Sequence, residues 1–102
     1  MEYIYFKTVD DDIVDNYELV RMAKIVDDLE IGVNDFEKVR KFAQYCSGIV
    51  EEINPSVKYL VKNGKKFTAI KVYHRRYPDM SLSECRREVE KIETVLMNVK
   101  EN

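Results

Sequence analysis

The sequence predicts a small, mostly helical α+β domain, with elements in the order β-α-α-β-α-α and a short two-stranded sheet. Three observations carry this reading. Residues 2–9 form an aromatic and β-branched run, apolar residues recur at three- and four-residue steps through most of the rest, and two capping boxes, Asn34 with Glu37 and Ser81 with Glu84, mark helix starts. The 102 residues suit one domain, residues 1–102, and 45% apolar content is enough for one core. Plentiful aromatic and β-branched residues exclude a disordered chain. A chain this short buries a smaller share of its surface than a large enzyme does, which favours a surface groove or a subunit interface over a deep active site.

Residues 2–9 (EYIYFKTV) read as a strand. Tyr3 and Tyr5 fall on one face and Ile4 and Phe6 on the other, the pattern of a strand covered on both sides. Asp10-Asp11-Asp12 is turn-prone. Residues 12–30 read as a helix on Leu19, Met22, Ala23, Val26 and Leu29, with Asp12 and Asp15 at the positive end of its dipole and Gly32 at its exit. A second helix starts at Asn34 and carries Phe36, Val39, Phe42, Ala43, Cys46, Ile49, Val50 and Ile53 as far as Asn54-Pro55, where proline disfavours helix.

Residues 57–62 read as the second strand, paired with the first, and Asn63-Gly64 as a turn. Asn-Gly between β-prone runs also signals a hairpin, which gives the alternative order β-α-α-β-β-α. That hairpin would set Val61 opposite Lys66 and mix apolar with charged residues on one face. A helix over residues 66–77, on Phe67, Ile70, Tyr73 and Tyr77, is therefore preferred. Tyr77-Pro78-Asp79-Met80 breaks it, and the last helix runs from the Ser81 cap to about residue 98 on Leu82, Cys85, Val89, Ile92 and Leu96. The expected core is Phe36, Phe42, Cys46, Ile49, Leu82, Val89 and Ile92. There is no internal repeat, low-complexity tract or flexible linker.

Charge is divided along the chain. Residues 1–57 carry six Lys/Arg and thirteen Asp/Glu, net −7; residues 58–102 carry eleven Lys/Arg and six Asp/Glu, net +5. The pI near 5.5 hides this dipole. The basic half, with Lys58, Lys62, Lys65, Lys66, Lys71, Arg75, Arg76, Arg86, Arg87 and Lys91, suits phosphates or an acidic protein surface. The plainer reading is a set of solvated faces that partly neutralise one another.

Catalytic and cofactor motifs are absent: no P-loop, dinucleotide-binding fingerprint, nucleophile elbow or HExxH occurs, and a lone His74 with two cysteines cannot make a zinc site. His74 reads as a surface residue rather than a base. Asp10-Asp11-Asp12 could hold a hard cation with Asp27, Asp28 and Glu30, but turns and helix starts favour Asp without any metal. No metal, no cofactor and no enzyme activity is expected. Cys46 and Cys85 form no CxxC pair and both sit on apolar stripes, as buried free thiols in a reducing cytoplasm would. Residues 1–9 lack a basic n-region and cleavage site, no apolar run is long enough for a membrane helix, and the polar Lys100-Glu101-Asn102 end fits a complete small cytoplasmic protein.

Residues 64–90, GKKFTAIKVYHRRYPDMSLSECRREVE, resemble the C-terminal domain of the bacterial ribosomal stalk protein. That family reads approximately Gly-x-Lys, then an Ala/Val-Ile-Lys helix with an Arg one turn on, a Gly-rich turn, and Leu-Lys-Glu-Ala-Lys-x-x-Val-Glu. Gly64, Lys66, Ala69, Ile70, Lys71, Leu82, Glu84, Val89 and Glu90 match, while Cys85 stands for the alanine and Arg86 for the second lysine. The chain departs from the pattern in its turn, which has Pro78-Asp79 for glycine and is one residue longer. The family's arginine falls at His74 or Arg75, its closing helix and strand are missing, and the first 57 residues do not match. In the family the helix pair recruits translational GTPases. The resemblance implies a docking surface around Lys66, Ile70, Lys71, Arg75 and Arg86, with Lys65 and His74 beside it.

The leading functional expectation is thus a non-enzymatic protein–protein interaction module that docks an acidic partner through a basic helix pair. A second is a small nucleic-acid-binding regulator, with Tyr59, Tyr73 and Tyr77 interleaved among basic residues for stacking. A third, from size alone, is a phage or mobile-element inhibitor of a host protein. The sequence leaves the oligomeric state open.

Overall fold

The computed structural model describes the backbone of residues 2–101 and the side chains of residues 2–98. The fold is α+β: five helices and one three-stranded antiparallel sheet among the described residues. The chain divides into two compact units, residues 1–54 and 55–102. Pro55, Ser56 and Val57 carry no charge, so this boundary coincides with the change of sign: net −7 in the first unit and +5 in the second.

The first unit holds β1 (Tyr5–Thr8), β2 (Ile13–Asp15), α1 (Asn16–Asp27), α2 (Phe36–Tyr45) and β3 (Ile49–Ile53). β1 is the central strand, antiparallel to both neighbours, with Phe6 opposite Val14 on one side and Glu52 on the other. Tyr5 and Phe6 are both buried, as a strand with two covered faces requires. The sheet differs from the sequence expectation, which paired β1 with residues 57–62. The acidic run explains half of the change. Thr8-Val9-Asp10-Asp11 forms a turn, closed by the Asp11 N–H donating to the Thr8 carbonyl at 3.0 Å, and Asp11 then takes a left-handed φ of 61°. This is the three-residue hairpin loop of a type I turn plus a left-handed residue, a place Asp tolerates. It turns Ile13-Val14 back along β1, so residues expected at the start of the first helix become β2. The helix starts four residues later than its earliest expected position, with Asp15 Oδ1 accepting from the Glu18 N–H at 2.9 Å.

β3 explains the other half. The second helix ends at Tyr45, not at Ile53. Ser47-Gly48 turns the chain, and β-branched Ile49 and Ile53 pair with Thr8 and Tyr5 of β1. Val50 is the extra residue of a bulge, since Lys7 pairs with Glu51 and Thr8 with Ile49. The cap of α2 is Asp35, one residue past the expected Asn34, accepting from the Lys38 N–H at 3.3 Å. Arg40 on α2 grips Glu52 on β3 through both carboxylate oxygens, at 2.7 and 3.1 Å.

Phe6, Leu19, Ala23, Val39, Phe42 and Ala43 form the core of this unit, with Cys46 and Ile49 packed against it. Asn16, fully buried, holds its edge: its side chain accepts from the Ile4 N–H at 3.2 Å and donates to the Val33 carbonyl at 2.8 Å. Of the expected stripe on α1, Leu19 and Ala23 are buried; Met22, Val26 and Leu29 are exposed.

The second unit is three helices: α3 (Val57–Lys62), α4 (Lys66–Arg76) and α5 (Leu82–Glu101). α3 replaces the expected second strand. Val57, Leu60 and Val61 stand at helical spacing and are all buried, and Ser56 caps the helix by accepting from the Tyr59 N–H at 3.0 Å. Asn63-Gly64 is a turn, but a helical one. The Lys65 N–H donates to the Leu60 carbonyl at 2.8 Å and the Gly64 N–H to Val61 at 3.1 Å, with Gly64 at φ 74°. Both bonds of a Schellman motif are present, so glycine here ends a helix and the alternative hairpin does not form. α4 and α5 match their expectations, including the Ser81 cap, which accepts from the Glu84 N–H at 3.1 Å.

The buried set of this unit is Val57, Leu60, Val61, Ala69, Ile70, Val72, Cys85 and Val89. Leu82, expected in the core, is exposed, and so are Phe67 and Tyr77. The face of α4 that turns inward is rotated from the predicted stripe toward Ala69 and Val72. Phe36, Cys46, Ile49 and Ile92 are half-buried.

Candidate functional site

Two exposed apolar residues of the second unit, Phe67 and Leu82, line a groove between α4 and α5. Phe67, Ile70, Lys71 and His74 fall on one side at i, i+3, i+4 and i+7, and Leu82, Ser83 and Arg86 line the other. The groove encloses about 510 Å³. From Phe67 to His74 is two helical turns, roughly 10 Å. Ile70 forms the floor at 8% exposure, while Phe67 and Leu82 stand up as its rims at 85% and 61%. Exposing a phenyl ring to this degree forgoes on the order of 1.5–3 kcal/mol of burial that packing would have supplied.

Four of the residues expected from sequence line this groove: Ile70, Lys71, His74 and Arg86. Three do not. Lys66 Nζ lies 2.9 Å from Glu90 Oε2 and 3.6 Å from Glu93 Oε1, so its charge is engaged in holding α4 to α5. The hydrogen bond to Glu90 pushes the Lys66 pKa up and holds the Glu90 carboxyl down. Lys65 is the residue at the junction of α3 and α4, and Arg75 is half-buried in the last turn of α4. Arg86 Nε stands 3.8 Å from Glu90 Oε2, a loose pair that leaves the guanidinium at the groove.

Sequence reasoning missed Phe67 and Leu82 as site residues because it placed Leu82 in the core and used Phe67 only as part of a helical stripe. For Phe67 the signal was present in the spacing: Ala69 and Val72 already supply the inward stripe of α4, and Phe67 lies off it. Leu82 shares the stripe of Cys85 and Val89 and is exposed as the first residue of α5. No group of three or more His, Cys, Asp or Glu among the described residues is placed to hold a metal ion. The Asp10-Asp11-Asp12 run is accounted for by the hairpin turn it forms. Both cysteines are free. Burial, with Asp27 adding to it, pushes the Cys46 thiol up; burial, with Glu84, does the same for Cys85. Neither is an activated nucleophile. Among the described residues no helix is long and apolar enough to cross a membrane.

No protein-family model matches this chain, and no curated protein or solved structure matches it.

Proposed function

We propose that the chain is a non-enzymatic docking module whose α4–α5 groove receives an amphipathic helix from an acidic partner protein. The observation that carries this reading is the exposure of Phe67 and Leu82 on either side of Ile70, bordered by Lys71, His74 and Arg86. Docking sites combine those parts: apolar anchors that bury area on binding, and surrounding charges that steer and orient the partner. A groove two helical turns long suits the apolar stripe of a helix, and the +5 charge of the unit favours a stripe flanked by Glu and Asp. The resemblance of residues 64–90 to the stalk-protein helix pair supports the same surface. Two free thiols suit a reducing cytoplasm.

A nucleic-acid reading draws on one specific observation. Tyr59 and Tyr77 are exposed in the same unit as Lys58, Lys62 and Arg76, which offers stacking faces near phosphate-binding charges. It leaves the apolar groove without a role. The test is titration of the isotope-labelled full chain with an acidic amphipathic peptide, followed by backbone NMR shifts. Perturbations confined to residues 67–74 and 82–86 support the groove. Perturbations scattered over the basic residues, matched by an oligonucleotide and abolished by moderate salt, support the nucleic-acid reading instead.

A further inference from the structure

The first unit leaves a second apolar hollow uncovered, with the opposite charge. Val9 from the β1–β2 turn, Met22 and Val26 from α1, and Tyr45 from the end of α2 surround about 490 Å³ of open space, with Phe42 and Ile49 among the residues lining it. Tyr45 is 82% exposed and Val26 68%. The charged residues lining this hollow are Asp10, Asp12 and Asp27, and no lysine or arginine lines it. The unit as a whole carries −7.

We infer that this face is a second docking site, for a basic amphipathic segment of a partner protein. Packing does not explain the apolar residues. Val26 and Met22 lie on the same stripe of α1 as the buried Leu19 and Ala23, so the stripe continues past the core into solvent, and Tyr45 extends it from α2. Turn formation explains why Asp10 and Asp12 are aspartates, but not why Asp27 joins them around an apolar hollow. An acidic border around an apolar centre selects a segment whose apolar stripe is flanked by Lys and Arg: the centre gains from the stripe and the border from the charges. Acidic partners are repelled by the same field. The face shares no residue with the α4–α5 groove, so the two sites stand or fall separately. With both, one chain bridges an acidic and a basic partner.

The test uses the full chain and a fluorescein-labelled peptide with leucines at helical spacing and lysines elsewhere, read by anisotropy at moderate salt. A scrambled peptide of the same composition is the control. The expected result is saturable binding at least about tenfold tighter than the scrambled peptide, reduced at least tenfold by Val26→Ser with Tyr45→Ser. Both substituted side chains are exposed, so the melting curve should not move. Backbone NMR shifts on the unsubstituted protein give a second reading, expected at Val9, Met22, Val26 and Tyr45. Equal binding of the scrambled peptide, no effect of the double substitution, or shifts confined to α4 and α5 would each overturn the proposal. So would concentration-dependent self-association that Tyr45→Ser abolishes, which would make the occupant a second copy of this chain.

Discussion

Lys66 at the start of α4 and Glu90 in the middle of α5 are joined at 2.9 Å, and this ion pair ties the two helices together beside the groove, where Arg86 stands 3.8 Å from the same Glu90 oxygen. Glu93, 3.6 Å from the same ammonium, reinforces it. Glu90→Gln should lower the melting temperature modestly. The pH dependence has a defined sign. Glu90's folded pKa is depressed, so its contribution is present above the ordinary carboxylate range and lost as pH falls through the lowered value. Lys66's is raised, so its contribution is present below the ordinary lysine range and lost as pH rises through the raised value. Thermal melts of both proteins should differ most at neutral pH and converge in acid. A constant difference from neutral to strongly acidic pH would show that the pair is not the cause.

Gly64 sits at φ 74° with nothing within 4 Å of where a Cβ would stand. Gly64→Ala therefore tests backbone strain without a clash. A left-handed non-glycine residue costs roughly 1–2 kcal/mol, and denaturant melts should show a loss of that size. An unchanged midpoint would argue against the Schellman end of α3.

Phe42 packs in the core of the first unit with Phe6, Leu19 and Val39. Phe42→Ala should cost about 3–5 kcal/mol from lost transfer energy and the cavity left behind. Denaturant unfolding reads this directly, and a loss under about 1 kcal/mol would contradict the buried position.

Cys85 is fully buried and Cys46 half-buried, and both thiols are held protonated by their surroundings. Under native conditions a thiol reagent such as Ellman's should modify Cys46 slowly and Cys85 only after unfolding. Rapid reaction of both would mean that the second unit opens readily.

The sequence made the helices legible where a cap and a stripe agreed, as at Ser81 with Cys85 and Val89. It misled where one local signal had two physical readings. Val57, Leu60 and Val61 fit a strand by composition and a helix by spacing, and Ser56 at the cap position was the deciding residue. Ile49, Val50 and Ile53 continued the helical stripe of α2, yet Gly48 and their β-branching delivered them to the sheet. Asn63-Gly64 favoured a turn in either case, and only the tertiary burial of Leu60 and Val61 decides which kind. The basic half of the site was legible as charge. Of its apolar half only Ile70 was legible, because an exposed Phe67 and a buried one look alike until the competing stripe of Ala69 and Val72 is given the interior.

Ile70, as the groove's floor, is too buried to test docking cleanly, since Ile70→Ala also removes core packing. Phe67 and Arg86 are exposed and free of that confusion. The most direct measurement is the affinity of the full chain for an acidic amphipathic helical peptide, by calorimetry, compared with Phe67→Ala and Arg86→Glu. The α4–α5 docking surface predicts that each substitution weakens binding by about tenfold or more, with the melting temperature of Phe67→Ala unchanged. If Arg86→Glu abolishes binding while Phe67→Ala leaves it intact, the surface is electrostatic only and the apolar groove is not the site.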